Sequence, residues 1–429
     1  MTQRLFTHIM LMFLSPAWSL YTAFRTGSRS LRRWTLIVFI TFYGSIITIS
    51  GTNDGVDHLN NVSDHYMDLT LSQFLSEIWS AMTFKNTAGT EEDLYIQFVS
   101  YFTGGILGLP GLFFVFVSFV YAYFFVGSMF RVFSIFPRFK HSALFFGLAV
   151  VFILWKNIEG INTVRTWSGL WVLFYACISY YQTKQKKYLF LMFMPPLFHV
   201  GYFMMAIPAW IVLIVGVRKW IFAVIFFMSF ISTILNPSTI TRGLKETETG
   251  ETMVDSYSKT EAKDFGRTFE ITGKKNTAWH YRLYKAGLQD WVVVLVAITL
   301  MLFGTYFSKM TRLEASIFSI GLLTKALANT MWFLSAVANR SNVVVGVFIL
   351  ATLMLMWGRG YFNQKLQTVY YQKWILTFAM LVFVPFVYYR ITDLLYYISA
   401  YMLAAPFIPW LDSELNISLR KAITKFLGF

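Results

Sequence analysis

The sequence predicts an all-α integral membrane protein that crosses the bilayer many times, and three observations predict it. Of 429 residues, 56% are hydrophobic and 13% are charged, half the ~25% charged share of a soluble domain. Aromatic residues reach 19% and mean hydropathy is +0.55. Apolar runs long enough for a helix to cross ~30 Å of hydrocarbon recur along the chain. This composition belongs neither to a disordered chain nor to a soluble globular one. The formal net charge of +15 reads as positive cytoplasmic loops rather than as a nucleic-acid partner. With one cysteine, Cys177, no internal disulfide forms and no cysteine cluster can hold zinc.

Taken in order, the first apolar run covers residues 5–24 and precedes RTGSRSLRRW, with Arg25, Arg29, Arg32 and Arg33. A secretory signal carries its charge before the run and a small-residue cleavage site after it. Only Arg4 precedes this one, so a retained span entering from outside is expected. A second span covers 34–50. The polar stretch 51–93 follows, then an amphipathic or re-entrant helix over 94–108, closed by GLPG. Later spans are expected at 111–136, 142–155, 166–182, 220–235, 291–307, 316–337, 343–357 and 374–389. Residues 188–217 are too long for one span and short for two. Pro195, Pro196 and Pro208 interrupt them, which predicts a half-helix, a break near 195–201 and a longer helix returning. A last crossing over 394–410 would leave the basic tail 411–429.

The expected architecture is one transmembrane domain, 1–429, with 12 to 14 segments. It carries two large outer elaborations at 51–110 and 236–289. Basic residues set the orientation. Arg25, Arg29, Arg32, Arg33, Arg131, Lys184, Lys186, Lys187, Arg218 and Lys219 fall in loops of one side. The short loops of the other side hold Lys85, Lys156, Arg165, Arg340 and Arg390. An N-out, C-in chain follows from this asymmetry.

The chain has no glycine-rich phosphate loop, no HExxH, no GxSxG and no CxxC. The candidates for chemistry are charged residues near outer span ends. Arg165 opens the span TWSGLWVLFYACISYY, where a guanidinium fork and a helix N-terminus both suit phosphate oxygens. A headgroup-anchoring arginine is the plainer alternative. His199, in PPLFHVGYF, sits at the expected helix break. It is a candidate general base, or a histidine that satisfies carbonyls freed by Pro195 and Pro196. Lys325 lies inside the span SIFSIGLLTKALANTMWFL, where a charge costs roughly 2.5–3.5 kcal/mol and usually serves function. Arg340 and Arg390 stand at outer span ends like Arg165. Among the outer carboxylates, Asp57 and Asp64 in NDGVDHLNNVSDHY are the strongest candidates. The rest, Asp93 included, read as solvated surface. Trp79, Trp167, Trp279 and Tyr281 could stack on sugar rings or belong to an interfacial belt.

The run from Arg165 through TKQKK to FHVGYF resembles the EpsG-like and Wzy-type bacterial polysaccharide polymerases. That family carries an arginine-led helix, a lysine-rich turn and a phenylalanine-histidine motif. GVDHLNNVSDHY, followed by the Glu91-led GTEEDLYIQFVSYF, is similar to its acidic loop and Glu-led helix. ANRSN is similar to its later outer arginine. The sequence departs from the pattern after the histidine, where Val200 and Gly201 replace the family's serine, and at Asn61, where a tyrosine is usual.

The resemblance implies a GT-C-like glycosyltransferase architecture in a bacterial inner membrane, with its site facing the periplasm. It implies transfer of a growing glycan from undecaprenyl pyrophosphate to a lipid-linked repeat unit, without metal or other cofactor. Arg165, Arg340 and more weakly Arg390 and Lys325 would hold pyrophosphate. His199 would act as base, with Asp57, Asp64 and Glu91 as glycan-binding or base candidates. The expected partners are undecaprenyl-pyrophosphate-linked glycans, the lipid bilayer and a chain-length regulator protein, and no nucleic acid. An O-antigen ligase-like transferase, a flippase or transporter, and a membrane O-acyltransferase are the alternatives.

Overall fold

The computed structural model describes residues 2–48, 54–83, 93–135, 142–233 and 287–428. Among these residues the regular elements are helices, and strand-like pairing is limited to one bridge between Ser399 and Ser418. Four stretches are long and apolar enough to cross a membrane: Pro110–Val132, Ala143–Thr163, Ala336–Gly358 and Gln367–Tyr397. Tyr202–Val215, Lys219–Ser232 and Leu288–Leu302 are apolar but shorter. The chain has the character of a helical membrane protein. Beside the 12 to 14 segments expected, four described helices combine the length and the hydropathy alone.

Helices α1 (Thr2–Leu14), α2 (Pro16–Thr26) and α3 (Arg29–Ser45) begin the chain. Residues 5–24 are not the single span expected. Ser15 is extended (φ −153°, ψ 100°) and Pro16 opens α2, since proline at the first helical position lacks only an N–H that has no helical partner. Ser19 Oγ donates to the His8 carbonyl at 2.7 Å. In one straight helix those residues would stand about 16 Å apart, so the run folds back as a short hairpin.

Past α3, the chain forms α4 (Asp54–Asn61), α5 (Leu71–Met82) and α6 (Leu94–Ser100). The expected polar stretch is thus partly helical. Helix α5 exposes Leu71, Leu75, Trp79 and Met82, four residues near helical spacing on one apolar face. A capping box of Thr70 and Gln73 starts it. Helix α6 continues as a π turn over Tyr101–Ile106 and stops at Gly108, whose φ of +63° suits glycine. It is too short to cross, as expected for 94–108.

The bundle proper is α7 (Phe113–Val132), α8 (Ala143–Trp155), α9 (Thr166–Thr183), α14 (Lys219–Ser232), α15 (Leu288–Leu302), α16 (Arg312–Thr330), α17 (Ser335–Gly358) and α18 (Gln367–Tyr397). Between α9 and α14 run the short pieces α10 (Lys186–Leu191), α11 (Pro195–Phe198), α12 (Tyr202–Met205) and α13 (Ile207–Val215). The break therefore falls at 199–201, where Pro195 and Pro196 predict it. Helix α17 runs through the middle. The Trp155 indole rests on its backbone, donating to the Val343 carbonyl at 3.0 Å. A Cβ at Gly346 would come within 2.0 Å of that ring, so only glycine fits.

One end of the bundle, here the upper end, carries the turn at 156–165, α4, and the first turns of α15 and α17. The opposite, lower end joins Arg29 to the Phe130 carbonyl at 2.6 Å and Arg359 to Glu314 at 2.7 Å. Helix α18 spans about 46 Å and ends at the upper end, with Thr48 N–H on the Tyr397 carbonyl at 3.2 Å.

The last crossing expected over 394–410 does not occur. Residues 398–419 form a closed loop in which Leu419 N–H reaches the Ile398 carbonyl at 2.7 Å and Ala400 N–H reaches Ile417 at 2.9 Å. Inside it, α19 (Ile408–Leu411) is one turn long, preceded by Pro406 and with Pro409 in its first turn. Trp410 Nε1 donates to Ser45 Oγ at 3.2 Å, and Asn416 Nδ2 to the Ile46 carbonyl at 3.2 Å. The amphipathic helix α20 (Leu419–Phe426) thus lies at the same end as the top of α3. The C-terminal tail shares a side with Arg390 instead of standing opposite it.

That arrangement predicts sidedness. Cys177 is buried and gives little background to a membrane-impermeant thiol reagent. Asp57→Cys and Glu414→Cys, at exposed positions, are expected to label from one side of the membrane and Lys186→Cys from the other. Labelling of Glu414→Cys from the Lys186 side would restore the extra crossing.

Candidate functional site

The turn between α8 and α9 supplies the site's floor. A short 3₁₀ segment, Ile158–Thr163, starts with Asn157 Oδ1 accepting from Glu159 N–H. Val164 follows with φ +46° and ψ −68°, and Arg165 N–H closes back on the Thr163 carbonyl at 2.6 Å. This is a γ-turn of the rare, strained hand, centred on a β-branched residue for which positive φ is a true outlier. Burial of Val164 holds it, and strain of this kind gathers at functional sites. The turn sets Arg165 at the head of α9.

The broken segment docks against that head. Tyr202 Oη donates to the Thr166 carbonyl at 2.7 Å. Its ring lies where a Cβ on Gly169 would fall, 2.7 Å away, so glycine permits the approach. Tyr95 of α6 stacks on Phe198 with ring centroids 4.5 Å apart. These contacts bring His199 (φ −159°, ψ 125°) over Asp93.

Asp93 is the centre of the site and is 1% exposed. Arg165 Nη1 donates to Oδ2 at 2.7 Å, His199 Nδ1 to Oδ2 at 3.0 Å, and Val200 N–H to Oδ1 at 2.7 Å. Asp93 stands at the N-cap of α6 yet makes no side-chain cap bond there, because its oxygens face these three donors. Burial alone would raise its carboxyl pKa. The His199 ring, Arg165 and the Val200 N–H outweigh that and hold it below the ordinary value. The stabilisation is present above ~3.9, the ordinary carboxyl value, and is lost as pH falls through the lower folded value.

On the far side of the imidazole, Arg340 Nη1 lies 2.8 Å from His199 Nε2. A guanidinium only donates, so Nε2 accepts and carries no proton. The ring is then neutral, with its proton on Nδ1 facing Asp93. Arg340 thereby spends a hydrogen bond on an uncharged partner, and among the described residues no carboxylate is paired with it. The result is a chain: Arg165, Asp93, His199, Arg340.

Three of the residues singled out in the sequence, Arg165, His199 and Arg340, thus converge, and others do not. Arg390 instead joins Glu159, with Lys156 Nζ 3.1 Å from the same Glu159 oxygen and Asp393 within hydrogen-bonding range. In this second cluster the buried Arg390 and Lys156 share the one buried carboxylate of Glu159, and Asp393 is half-buried beside it. Lys325 donates to Asn342 Oδ1 at 2.9 Å and lines a separate cavity with Asp290. Asp57 and Asp64 are exposed on α4 and the π turn after it, so the carboxylate beside His199 is Asp93 and neither of them. Glu91, Trp279, Tyr281 and most of 236–289 lie outside the described residues. Among the described residues no three of His, Cys, Asp and Glu gather as metal ligands.

Sequence reasoning missed Asp93. Its only signal is position: an acidic residue directly before the apolar run that begins at Leu94, which reads as a solvated helix cap. No family model, curated protein or solved structure matches the chain.

The Arg390 cluster predicts a stability pattern. Arg390→Met is expected to cost about 3 kcal/mol by leaving the buried Glu159 with Lys156 as its remaining described cation. Glu159→Gln combined with Arg390→Met is expected to cost less than Arg390→Met alone. Thermal unfolding of the purified protein in detergent measures both. A double variant less stable than the single would show that the pair is not what Arg390 serves.

Proposed function

We propose that the chain is a polysaccharide polymerase of the inner membrane. It transfers a growing glycan from undecaprenyl pyrophosphate to a lipid-linked repeat unit on the periplasmic face. The observation that carries this reading is Arg340: a fixed guanidinium beside a histidine, matched by no described carboxylate, across the ring from a second arginine. Arg390 gives the contrast, since its charge is met by Glu159. An arginine whose charge is left unmet is the kind an anionic substrate can use.

The chemistry follows from the array. The acceptor hydroxyl oxygen attacks the anomeric carbon, the bond from that carbon to the pyrophosphate oxygen breaks, and the hydroxyl proton passes to a base. Negative charge grows on the departing pyrophosphate. Cations already fixed in place stabilise that charge more in the transition state than in the ground state. Arg340 donating to pyrophosphate would leave His199 Nε2, and that lone pair becomes free to take the hydroxyl proton. Asp93 then stabilises the imidazolium and keeps its orientation. Arg165, bonded to the same carboxylate, holds a second guanidinium beside it. Leu71, Leu75, Trp79 and Met82 of α5 and Phe98 of α6, the helix that starts from Asp93, are exposed apolar surface that suits a substrate that is half lipid.

Transfer can be followed with purified protein in liposomes carrying a lipid-linked repeat unit, as a ladder of polymer lengths. Arg165→Lys is expected to fail nearly as completely as Arg165→Ala, because an ammonium lacks the planar fork. His199→Gln is expected to lower the rate about 10²–10⁴-fold and to flatten the acid limb of the pH profile. A full ladder from Arg165→Ala would remove the clamp. An unchanged pH profile in His199→Gln would make the histidine structural. In cells, one capped repeat without polymer favours a polymerase, and loss of all capping favours a ligase.

A further inference from the structure

At the upper end, α15, α16 and α17 enclose a cavity of about 260 Å³. Asp290, Trp291, Lys325, Asn339 and Asn342 line it. Lys325 is 9% exposed and stands in the last two turns of α16, a charged group held largely out of solvent. It donates to Asn342 Oδ1 at 2.9 Å, and its Nζ stands 5.8 Å from the centroid of the Trp291 ring. Among the described residues no ion pair closes between Lys325 and Asp290, though each feels the other's charge.

We infer that this cavity is a binding subsite for a neutral polyhydroxylated ring, a hexosyl residue of the glycan. The lining decides the ligand class. A phosphate or pyrophosphate would meet the Asp290 carboxylate, and a metal cation would meet Lys325, so neither ion is favoured. The Asn342 carboxamide, the Asp290 carboxylate and the Lys325 ammonium set donors and acceptors side by side. Ring hydroxyls, each both donor and acceptor, match such a mixed set. An indole at the wall supplies an apolar face with a polar edge, which suits a sugar ring. A pocket with a few convergent polar groups is the usual form of a small-ligand site.

The placement suits a glycan already held at the arginine site. Asn339 and Asn342 are three residues apart and share a face of α17. Arg340 follows Asn339 directly, turned about 100° away around the helix, and faces His199 instead. One helix thus forms the wall between the reacting array and the cavity. A sugar in the cavity sits one helix's width, ~10–12 Å, from the clamp, farther than an adjacent ring reaches, so it would be a more distant ring of the donor or acceptor glycan. The inference rests on the polymerase reading only in assigning the ring to the glycan. The cavity's preference for a sugar does not require transfer to occur.

Saturation-transfer NMR on the full-length protein in nanodiscs tests this directly. The probes are the methyl glycosides of glucose, galactose, rhamnose, N-acetylglucosamine and N-acetylgalactosamine, with inorganic pyrophosphate and glycine as separate arms. At least one glycoside is expected to bind, and to bind at least about tenfold more weakly in Asn342→Leu, which removes a half-buried polar partner. Asn339→Leu, at an exposed position, provides a second variant should Asn342→Leu fold poorly. Binding is expected to persist in His199→Gln, so a failed transferase reading leaves this result standing. Absence of glycoside binding, or binding unchanged in both asparagine variants, would overturn the subsite. Pyrophosphate binding lost in Asn342→Leu would make it an anion site, and glycine binding lost there a site for zwitterions.

Discussion

A single buried carboxylate, Asp93, draws together three parts of the chain that are far apart in sequence. The residue before α6, the head of α9 and the break at 199–201 meet there through Arg165, His199 and Val200. A carboxylate with so little contact with water is tolerated only because each oxygen is met by strong donors. The same requirement fixes the histidine. With Nδ1 committed to Asp93, Nε2 points away from the carboxylate, toward Arg340. The site's geometry is therefore a consequence of satisfying one charge.

The two buried polar clusters of the upper end differ in how their charge is met. Around Glu159, Arg390 and Lys156 meet the same buried carboxylate, and the cluster ties the turn after α8 to α18. Around His199, Arg340 points at a neutral nitrogen. The first arrangement holds the fold together. The second keeps a guanidinium in place without consuming its charge, and a cation fixed in advance needs no reorganisation when an anion develops nearby. The strained turn at Val164, next to Arg165, belongs to the same region.

Much of this was legible in the sequence, and the rest was hidden for physical reasons. Composition and apolar runs gave the helical membrane character, and Pro195 and Pro196 marked the break. Arg165 and Arg340 stand out as guanidinium groups at outer span ends and His199 as a histidine at the expected helix break, and they meet. Asp93 did not stand out, because an acidic residue before a helix is the commonest kind of cap, and only three distant donors reveal its use. Arg390 looked like Arg165 for want of any sign that Glu159 would reach it. The fold-back at Ser15 and the closed loop at 398–419 escaped notice because apolar content reports what can enter lipid, not whether the chain turns midway. Ser15 with Pro16, and Pro406 with Pro409, carried the only hint.

Transfer in this scheme requires Arg340 to exchange a neutral imidazole for a pyrophosphate. Calorimetric binding of inorganic pyrophosphate to the full-length protein, compared with Arg340→Met and with Lys325→Met, tests it most directly. Loss of one charge-assisted contact should weaken binding at least about tenfold in Arg340→Met, while Lys325→Met stays near the parent value. Equal affinity in the parent protein and Arg340→Met, or a loss confined to Lys325→Met, would contradict it.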